Sequence, residues 1–591
     1  MDSIWNILLL FLKEYPWTLV FYILFTLLAF PLESIVVPRL YSAFFNELNK
    51  FGQKTVDKNI FITFFTTLFI IIFIVNASNV ATLYIESYLI PELFGFLYNF
   101  IFINLLLKNE NSITEIEIGK IITRLLVVPE TLKLFVINFC VWFLPRFLAI
   151  IVINIYFLYV NWKLGLCSLL LLFIYFVCIF YFFKMCINSS TDRHKNLELL
   201  NQYTHDKLSN TRSIYSSGTI ENEKLNYEKH TNYYTEFYKK SLTCLKYNIS
   251  FVSIFLVFLY IILHIFTAFL YWTGEINIFL LISIFITIIY YIPCLYSINS
   301  VIPEFINNLG IISSTEEFVS ELYEQYQKEE IKKEKDKEKE QNPNELKNGE
   351  TKNSEQLKNG EIIIQQLTFQ YLPNNPPIFE NFDLKIQDKQ RVAIVGPSGN
   401  GKTTLIKLIM GYYKIPENMI WVGGNDVNNY TLNDLRQQIT YVHQNAKLFN
   451  TSIIENIKYG NDASIEYINE IMNKYNLHVI FKNIQANDFL NFQVGVEGNN
   501  LSGGQRQMVM ILRALLKQNK IVILDEPTSA IDGESKMHVI RAMKVLSENS
   551  TLIIITHDPD ILNLVDRIVT IDSGKIVSDE MYLKNKNYSF V

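Results

Sequence analysis

Charge is scarce in the first half of this sequence. Up to about residue 310 the chain is dominated by Phe, Ile, Leu and Tyr, with long stretches free of charged side chains. "FIIIFIV" (69–75) and "LLLLFIYFVCIFYFF" (169–183) offer no polar face every 3.6 residues, which excludes a soluble helical bundle. An excess of basic charge is also missing: the net charge is −5, and no nucleic-acid partner is indicated. The six cysteines (Cys140, Cys167, Cys178, Cys186, Cys244 and Cys294) all lie in the apolar half, and none forms a C-x-x-C pair. That excludes the usual zinc spacing and predicts buried, inert thiols. The opening "MDSIWNILLLFLKEYP" lacks a basic start, is interrupted by Asn6 and has no small-residue cleavage site. It reads as an amphipathic helix at a membrane surface rather than a secretory or mitochondrial signal.

What the first half does contain is six apolar stretches of spanning length: 17–42, 59–85, 133–160, 163–188, 246–272 and 277–302. A hydrocarbon core of about 30 Å needs about 20 such residues in a helix. Two of the connections are long, 86–132 and 189–245, and they carry Lys108, Lys120, Arg124, Arg193, Lys195, Lys207, Arg212 and further lysines. The positive-inside rule assigns both to the cytoplasm, and an even number of spans then puts both termini there. Glu33, Arg146 and His264 are ionisable groups deep inside the spans. They face either a cavity or a packing partner, and Pro145 predicts a kink.

After the sixth span, "STEEFVSELYEQYQ" (314–327) keeps Phe318, Leu322 and Tyr326 on one helical face. A mixed-charge run follows, too polar to bury a core, and reads as a helix fading into a tether. The expected division is therefore a membrane domain over 1–315, a helical extension and linker over 316–360, and a third segment over 361–591.

That third segment is ordinary α/β sequence. "RVAIVGPSGNGKTTLIKLIMG" is a strand, a glycine-rich turn and a helix, the setting in which G-x-x-x-x-G-K-[ST] carries meaning. Gly396, Pro397, Ser398, Gly399, Asn400, Gly401, Lys402, Thr403 and Thr404 are the expected nucleotide cradle. Backbone N–H groups and the Lys402 ammonium would meet phosphate, and the Thr403 hydroxyl would meet Mg²⁺. In "IVILDEPTSAID" (521–532) a buried strand ends at Asp525, suited to the Mg²⁺ shell, and Glu526, suited to activating water. "TLIIITH" (551–557) brings His557 to a third strand end, within reach of a γ-phosphate. "LSGGQ" (Leu501, Ser502, Gly503, Gly504 and Gln505) is a second anion site at a helix start, about a hundred residues after the first.

With these motifs the chain resembles an ABC (ATP-binding cassette) exporter half-transporter over nearly its whole length. The resemblance implies a multidomain protein, with an all-α six-helix membrane domain followed by an α/β P-loop NTPase cassette. It implies ATP and Mg²⁺ as ligands. Tyr371 in "LTFQYLP" would stack on adenine, Gln444 in "YVHQNAKLF" would join Asp525 and Thr403 at Mg²⁺, and Asp532 would close the D-loop "SAID". "IGKIITRL" (118–125) and "LSNTRSIYSSG" (208–218) sit where the family has coupling helices, with transmission expected near 108–116 and 212–217. Two positions depart from the family: Ile531 stands where Leu is usual, and Val496 where Glu is common, with Glu497 one place later. Because one cassette holds its own nucleotide in the first cradle, LSGGQ implies a second half-transporter that receives it, most simply a homodimer. The expected activity is ATP-driven membrane export, by alternating access, of a hydrophobic or amphipathic lipid, peptide or drug-like molecule. An ATP-gated channel or regulatory membrane protein on the same scaffold is the alternative. A soluble ABC protein is excluded by the six spans.

Overall fold

The computed structural model describes residues 2–51, 58–110, 118–341, 356–372, 375–444, 447–484, 489–529 and 531–582. The coupling stretch expected over 111–116 and the linker over 342–355 lie outside the described residues. Contacts divide the chain into two compact units: Met1–Lys108 with Thr114–Glu340, and Asn109–Ile113 with Gln341–Val591.

The first unit is helical among its described residues. Helix α1 is Asp2–Glu14. The first span combines α2 (Pro16–Pro31) and α3 (Val37–Phe51) across a π-helical turn at Leu32–Val36, and the second is α4 (Lys58–Asn109). A second π-helical turn, Asn138–Phe143, joins α5 (Ile118–Ile137) to α6 (Leu144–Val160). Then follow α7 (Trp162–Ser209), the short α8 (Thr211–Ser216), α9 (Ile220–Trp272), α10 (Ile278–Ser314) and α11 (Glu316–Gln341). Six helical segments are long and apolar enough to cross a membrane, each overlapping one predicted stretch. The helices outrun the membrane, however. The 53 residues of α9 make a rod of about 80 Å, against about 30 Å of hydrocarbon. Much of what hydropathy marks as a long loop over 189–245 is helix, because lysine, glutamate and leucine hold helical conformation well in water.

Inside this unit polar side chains join the spans. Asn154 Nδ2 donates to Tyr291 Oη at 3.0 Å, and Ser168 Oγ donates to Asn154 Oδ1 at 2.8 Å, which ties α6, α7 and α10 together in the core. Such bonds direct helix association where the surrounding lipid is as apolar as the side chains. The outward faces are bare hydrophobics, with Phe69 and Phe180 each 70% exposed. Helix α1 is more than a surface float. Its Ile4, Ile7, Leu8 and Phe11 are buried against Leu93, Leu97, Leu132, Phe318 and Leu322.

The inert-cysteine expectation fails at two positions. Cys186 and Cys244 form a disulfide between α7 and α9, with their Cα atoms 5.7 Å apart, while the other four are free and half-buried. The partners are 58 residues apart in sequence and meet because α7 and α9 run side by side. His264 is half-buried and bonds within its own helix, to Tyr260 O.

The second unit holds two sheets. A six-stranded sheet runs β10-β9-β3-β8-β7-β6, and a four-stranded antiparallel sheet runs β2-β1-β4-β5. Their strands are β1 (Ile362–Phe369), β2 (Phe379–Ile386), β3 (Arg391–Val395), β4 (Ile420–Val422), β5 (Asn425–Asp426), β6 (Ile439–Val442), β7 (Ile521–Asp525), β8 (Thr551–Ile555), β9 (Arg567–Asp572) and β10 (Lys575–Met581). Strands β9, β3, β8, β7 and β6 are parallel neighbours. Every residue of β7 and β8 is buried, as continuous apolar runs in parallel sheets require. Register sets Asp525 opposite Ile555 and Val442 opposite Leu524, so the carboxyl ends of β6, β7 and β8 finish level. Helices α12 (Lys402–Ile409), α16 (Gly503–Lys517) and α17 (Gly533–Leu546) carry the remaining motifs, with α13 (Leu432–Gln438), α14 (Ile453–Lys458) and α15 (Ile465–Lys474) between the first two.

Candidate functional site

The glycine-rich turn between β3 and α12 is shaped by its glycines. Gly396 has φ +144, and a Cβ there would sit 1.9 Å from Ile571 O on β9, so no other residue fits. Gly401, at φ +88, is the residue from which α12 starts, pointing that helix's unpaired N–H groups into the turn. The Asn400 amide anchors the loop by donating to Asp572 Oδ1 at 2.7 Å. Lys402 is buried and folds back, its Nζ donating to Gly396 O at 2.6 Å and Pro397 O at 2.8 Å. Burial lowers its pKa, and the carboxylates of Glu526 and Asp525 oppose that shift. Pro397, Ser398 and Gly399 complete the loop's rim, with Gly399 at φ +86.

Asp525 closes the other side. It is 4% exposed, and its Oδ2 accepts from Thr403 Oγ1 at 3.3 Å and from Tyr441 Oη at 3.1 Å. Burial, reinforced by Asp525, drives the Tyr441 phenol pKa upward, so this hydroxyl stays a donor. Glu526 follows with a left-handed φ of +46, its N–H bonded to Ile555 O at 2.9 Å. That twist at the strand end turns its carboxylate toward its neighbours. Gln444 Nε2 donates to Glu526 Oε2 at 2.5 Å, and His557 Nε2 lies 3.8 Å from Oε1. Tyr371 is partly exposed, packs edge-on against Phe369 and Tyr413, and shares a 2.8 Å hydrogen bond with Thr404 Oγ1.

Sequence reasoning missed two supports. Tyr441 is one, visible only once β6 and β7 are known to be neighbours. The other is Asp558, which accepts from Thr528 Oγ1 at 2.7 Å and from Lys536 Nζ at 2.8 Å. Thr528 follows Glu526 and Asp558 follows His557, so this bond clasps the two strand ends that present the pair.

The LSGGQ residues form a second cluster. Ser502 caps α16: its Oγ accepts from Gln505 N at 3.2 Å, while Gln505 Oε1 accepts from Ser502 N at 2.9 Å. This is a reciprocal capping box. Leu501 is buried beneath it, Gly503 begins the helix, and Gly504 lets α16 approach α17, where a Cβ would meet Ser535 Cβ at 2.5 Å. Asp532 caps α17 through Ser535 N at 2.9 Å. Ser502, Gln505 and Asp532 line one open cleft of about 720 Å³ with Asn500 and His538. Among the described residues no hydrogen bond joins Ser502, Gln505 or Asp532 to the cradle.

This arrangement has counterparts in known proteins. Residues 18–292 match the ABC transporter transmembrane region, and residues 379–529 match the ABC transporter family itself. The chain belongs to the ABC transporters. It is an integral membrane protein with an ABC ATPase domain after its membrane domain in one chain. An ATP-dependent lipid A-core flippase of Idiomarina loihiensis is 37% identical over 218 residues, covering 37% of this chain and 38% of that protein. A Staphylococcus aureus protein named for multidrug export, an ATP-binding/permease protein, is 37% identical over 234 residues, 39% and 40% of the two chains. The matches thus span about two fifths of those relatives. A bacterial Atm1-family ABC exporter with ATP bound shares the fold at TM-score 0.80 and 18% identity, covering 96% of this chain and 95% of that one.

The residues fit the ligands this family uses. The cradle admits only glycine at its closest approach, and its lysine turns inward. Thr403 and Asp525 converge as hard oxygen donors, the chemistry Mg²⁺ prefers when it binds through one or two protein groups plus phosphate.

Proposed function

We propose that this chain is one half of a dimeric ATP-driven exporter, most simply a homodimer, with its cassette and both termini cytoplasmic. The observation that carries the proposal is the assembled hydrolytic group: Glu526 bonded to Gln444, with His557 3.8 Å away on the adjacent strand end. An ATP-gated channel on this scaffold commonly has a degraded hydrolytic site, so the assembled group favours a pump.

The geometry supports the following roles. The P-loop N–H groups from Gly399 to Thr404 and the Lys402 ammonium bind phosphate, and Tyr371 offers its ring to adenine. Thr403, Asp525 and Gln444 would hold Mg²⁺, which when bound draws charge from the phosphate oxygens. Glu526 takes the proton from the attacking water, and His557 donates to the γ-phosphate. Ser502, Gly503 and Gly504 offer the open start of α16 to the nucleotide of the partner cassette, with Asp532 beside them. Closing the two cassettes on ATP shifts the population of membrane-domain states, because the closed state alone gains that second set of contacts. The divisions 1–315, 316–360 and 361–591 serve as membrane domain, extension with linker, and cassette. The cargo is hydrophobic or amphipathic, as the Phe- and Tyr-rich spans and the flippase and multidrug-export relatives suggest.

The experiment is Glu526→Gln in the full chain. It should retain ATP binding and accumulate closed dimers while hydrolysis falls at least about a hundredfold. Wild-type turnover would sink the assignment of the base.

A further inference from the structure

The π-helical turn of the first span, the start of α6 and the middle of α10 line a cavity of about 180 Å³ within the helical unit. Glu33 and Ser34 face it from one wall, Arg146 from another, and Tyr290 and Ser297 from α10. Pro145 explains part of this wall. It has no N–H for the carbonyl four residues back, and Arg146 Nη1 donates to that freed Val141 O instead. The guanidinium also sits 4.8 Å from the Trp142 ring centroid. Among the described residues nothing else accepts a hydrogen bond from Arg146, and Glu86, the carboxylate whose field reaches it, is already held by the Tyr22 hydroxyl at 3.0 Å. Glu33, an exposed residue on the open side of this cavity, has neither hydrogen bond nor ion pair among them, and the two are not paired with each other.

Two opposite charges held apart in one intramembrane cavity constrain what can enter. An anion would satisfy Arg146 and leave Glu33 uncompensated, while a cation would do the reverse. In apolar surroundings each unpaired ion is costly, so the best occupant carries both charges. The space admits several water-sized groups, enough for an ammonium and an acidic group joined by a short link.

We propose that this cavity binds the head of a zwitterion, with its ammonium at Glu33 and its acidic group at Arg146. The head belongs either to an aminophospholipid or to a free amino acid or short peptide. The binding itself stands on the cavity; only its status as cargo rests on the export function above.

The test is binding to the full-length protein in lipid nanodiscs without nucleotide, so the result does not depend on ATP hydrolysis, which is assayed separately. Three dioctyl-chain probes differ only in the head: phosphoethanolamine, phosphate and amine. Wild-type protein should prefer phosphoethanolamine by about tenfold or more, the scale of one charged hydrogen bond. Glu33→Gln should move the preference to phosphate, and Arg146→Gln should move it to amine. These opposite gains cannot come from misfolding. Glycylglycine competition at comparable affinity would identify a soluble zwitterion as the source, and lack of competition would identify the lipid; either supports the site. Equal binding of all three heads by wild type, or zwitterion affinity retained in Glu33→Gln/Arg146→Gln, would overturn it.

Discussion

Gln444 and Glu526 are joined by a 2.5 Å hydrogen bond, from the amide Nε2 to the carboxylate Oε2. Gln444 follows β6 and Glu526 follows β7, so the bond reports the level ends of two parallel strands. It also means that the group expected at the metal restrains the group expected to act as base.

Replacing Gln444 with Ala should therefore have two effects. The maximal ATPase rate should fall about tenfold or more, as for loss of a group that orients a reactive neighbour. The Mg²⁺ concentration for half-maximal rate should also rise. A Mg²⁺ titration of the purified variant separates these effects. Unchanged Mg²⁺ dependence would remove Gln444 from the metal and leave only its bond to Glu526.

Asp558 predicts a pH effect. Burial alone would raise its pKa, but Lys536, Thr528 and the Asp560 N–H together hold the carboxyl below the usual aspartate range. A lowered carboxylate pKa stabilises the fold at pH above its unfolded value, and this is lost as pH falls through the folded value. Lys536, raised by the same contacts, contributes below its unfolded pKa and loses that as pH rises through the folded one. Asp558→Asn should cost about 1–3 kcal/mol at pH 7 and flatten the acid limb of a thermal-unfolding series. An unchanged acid limb would show that another group governs it.

The cysteine pairing is checked by counting thiols. Alkylation under denaturing, non-reducing conditions should label the four free cysteines, and reduction should expose all six. Mass spectrometry reads the difference directly. Six labels without reduction would contradict a Cys186–Cys244 bond.

The catalytic half of the fold was legible because its signals are local. Gly396, Lys402, Asp525 and Glu526 lie beside the strands that place them, and the apolar runs of β3, β7 and β8 mark those strands. The six spans were legible because hydropathy alone reports them. It reports nothing beyond the bilayer, which is why the helical extensions of α7 and α9 read as loops. Contacts between distant elements were equally hidden. Cys186 needs the α7–α9 pairing, Tyr441 needs the β6–β7 pairing, and Asp558 needs the adjacent ends of β7 and β8. The pattern of α1 reads as an amphipathic helix at a membrane surface, and its Ile4, Ile7, Leu8 and Phe11 are buried within the protein. The pattern could not show that Leu93, Leu97 and Leu322, rather than lipid, cover those residues.

The central claim is that Ser502 of one chain completes the site built on Lys402 of another. The direct measurement mixes two full-length variants, Ser502→Arg and Lys402→Ala, each of which should fail alone to occlude ATP. If the sites are shared across chains, a random mixture should occlude nucleotide at about a quarter of the wild-type sites, since half the dimers are mixed and each holds one intact pair. If Ser502 served its own chain's nucleotide, every site in the mixture would carry one defect. Occlusion would then stay at the level of the separate variants, which would contradict the account.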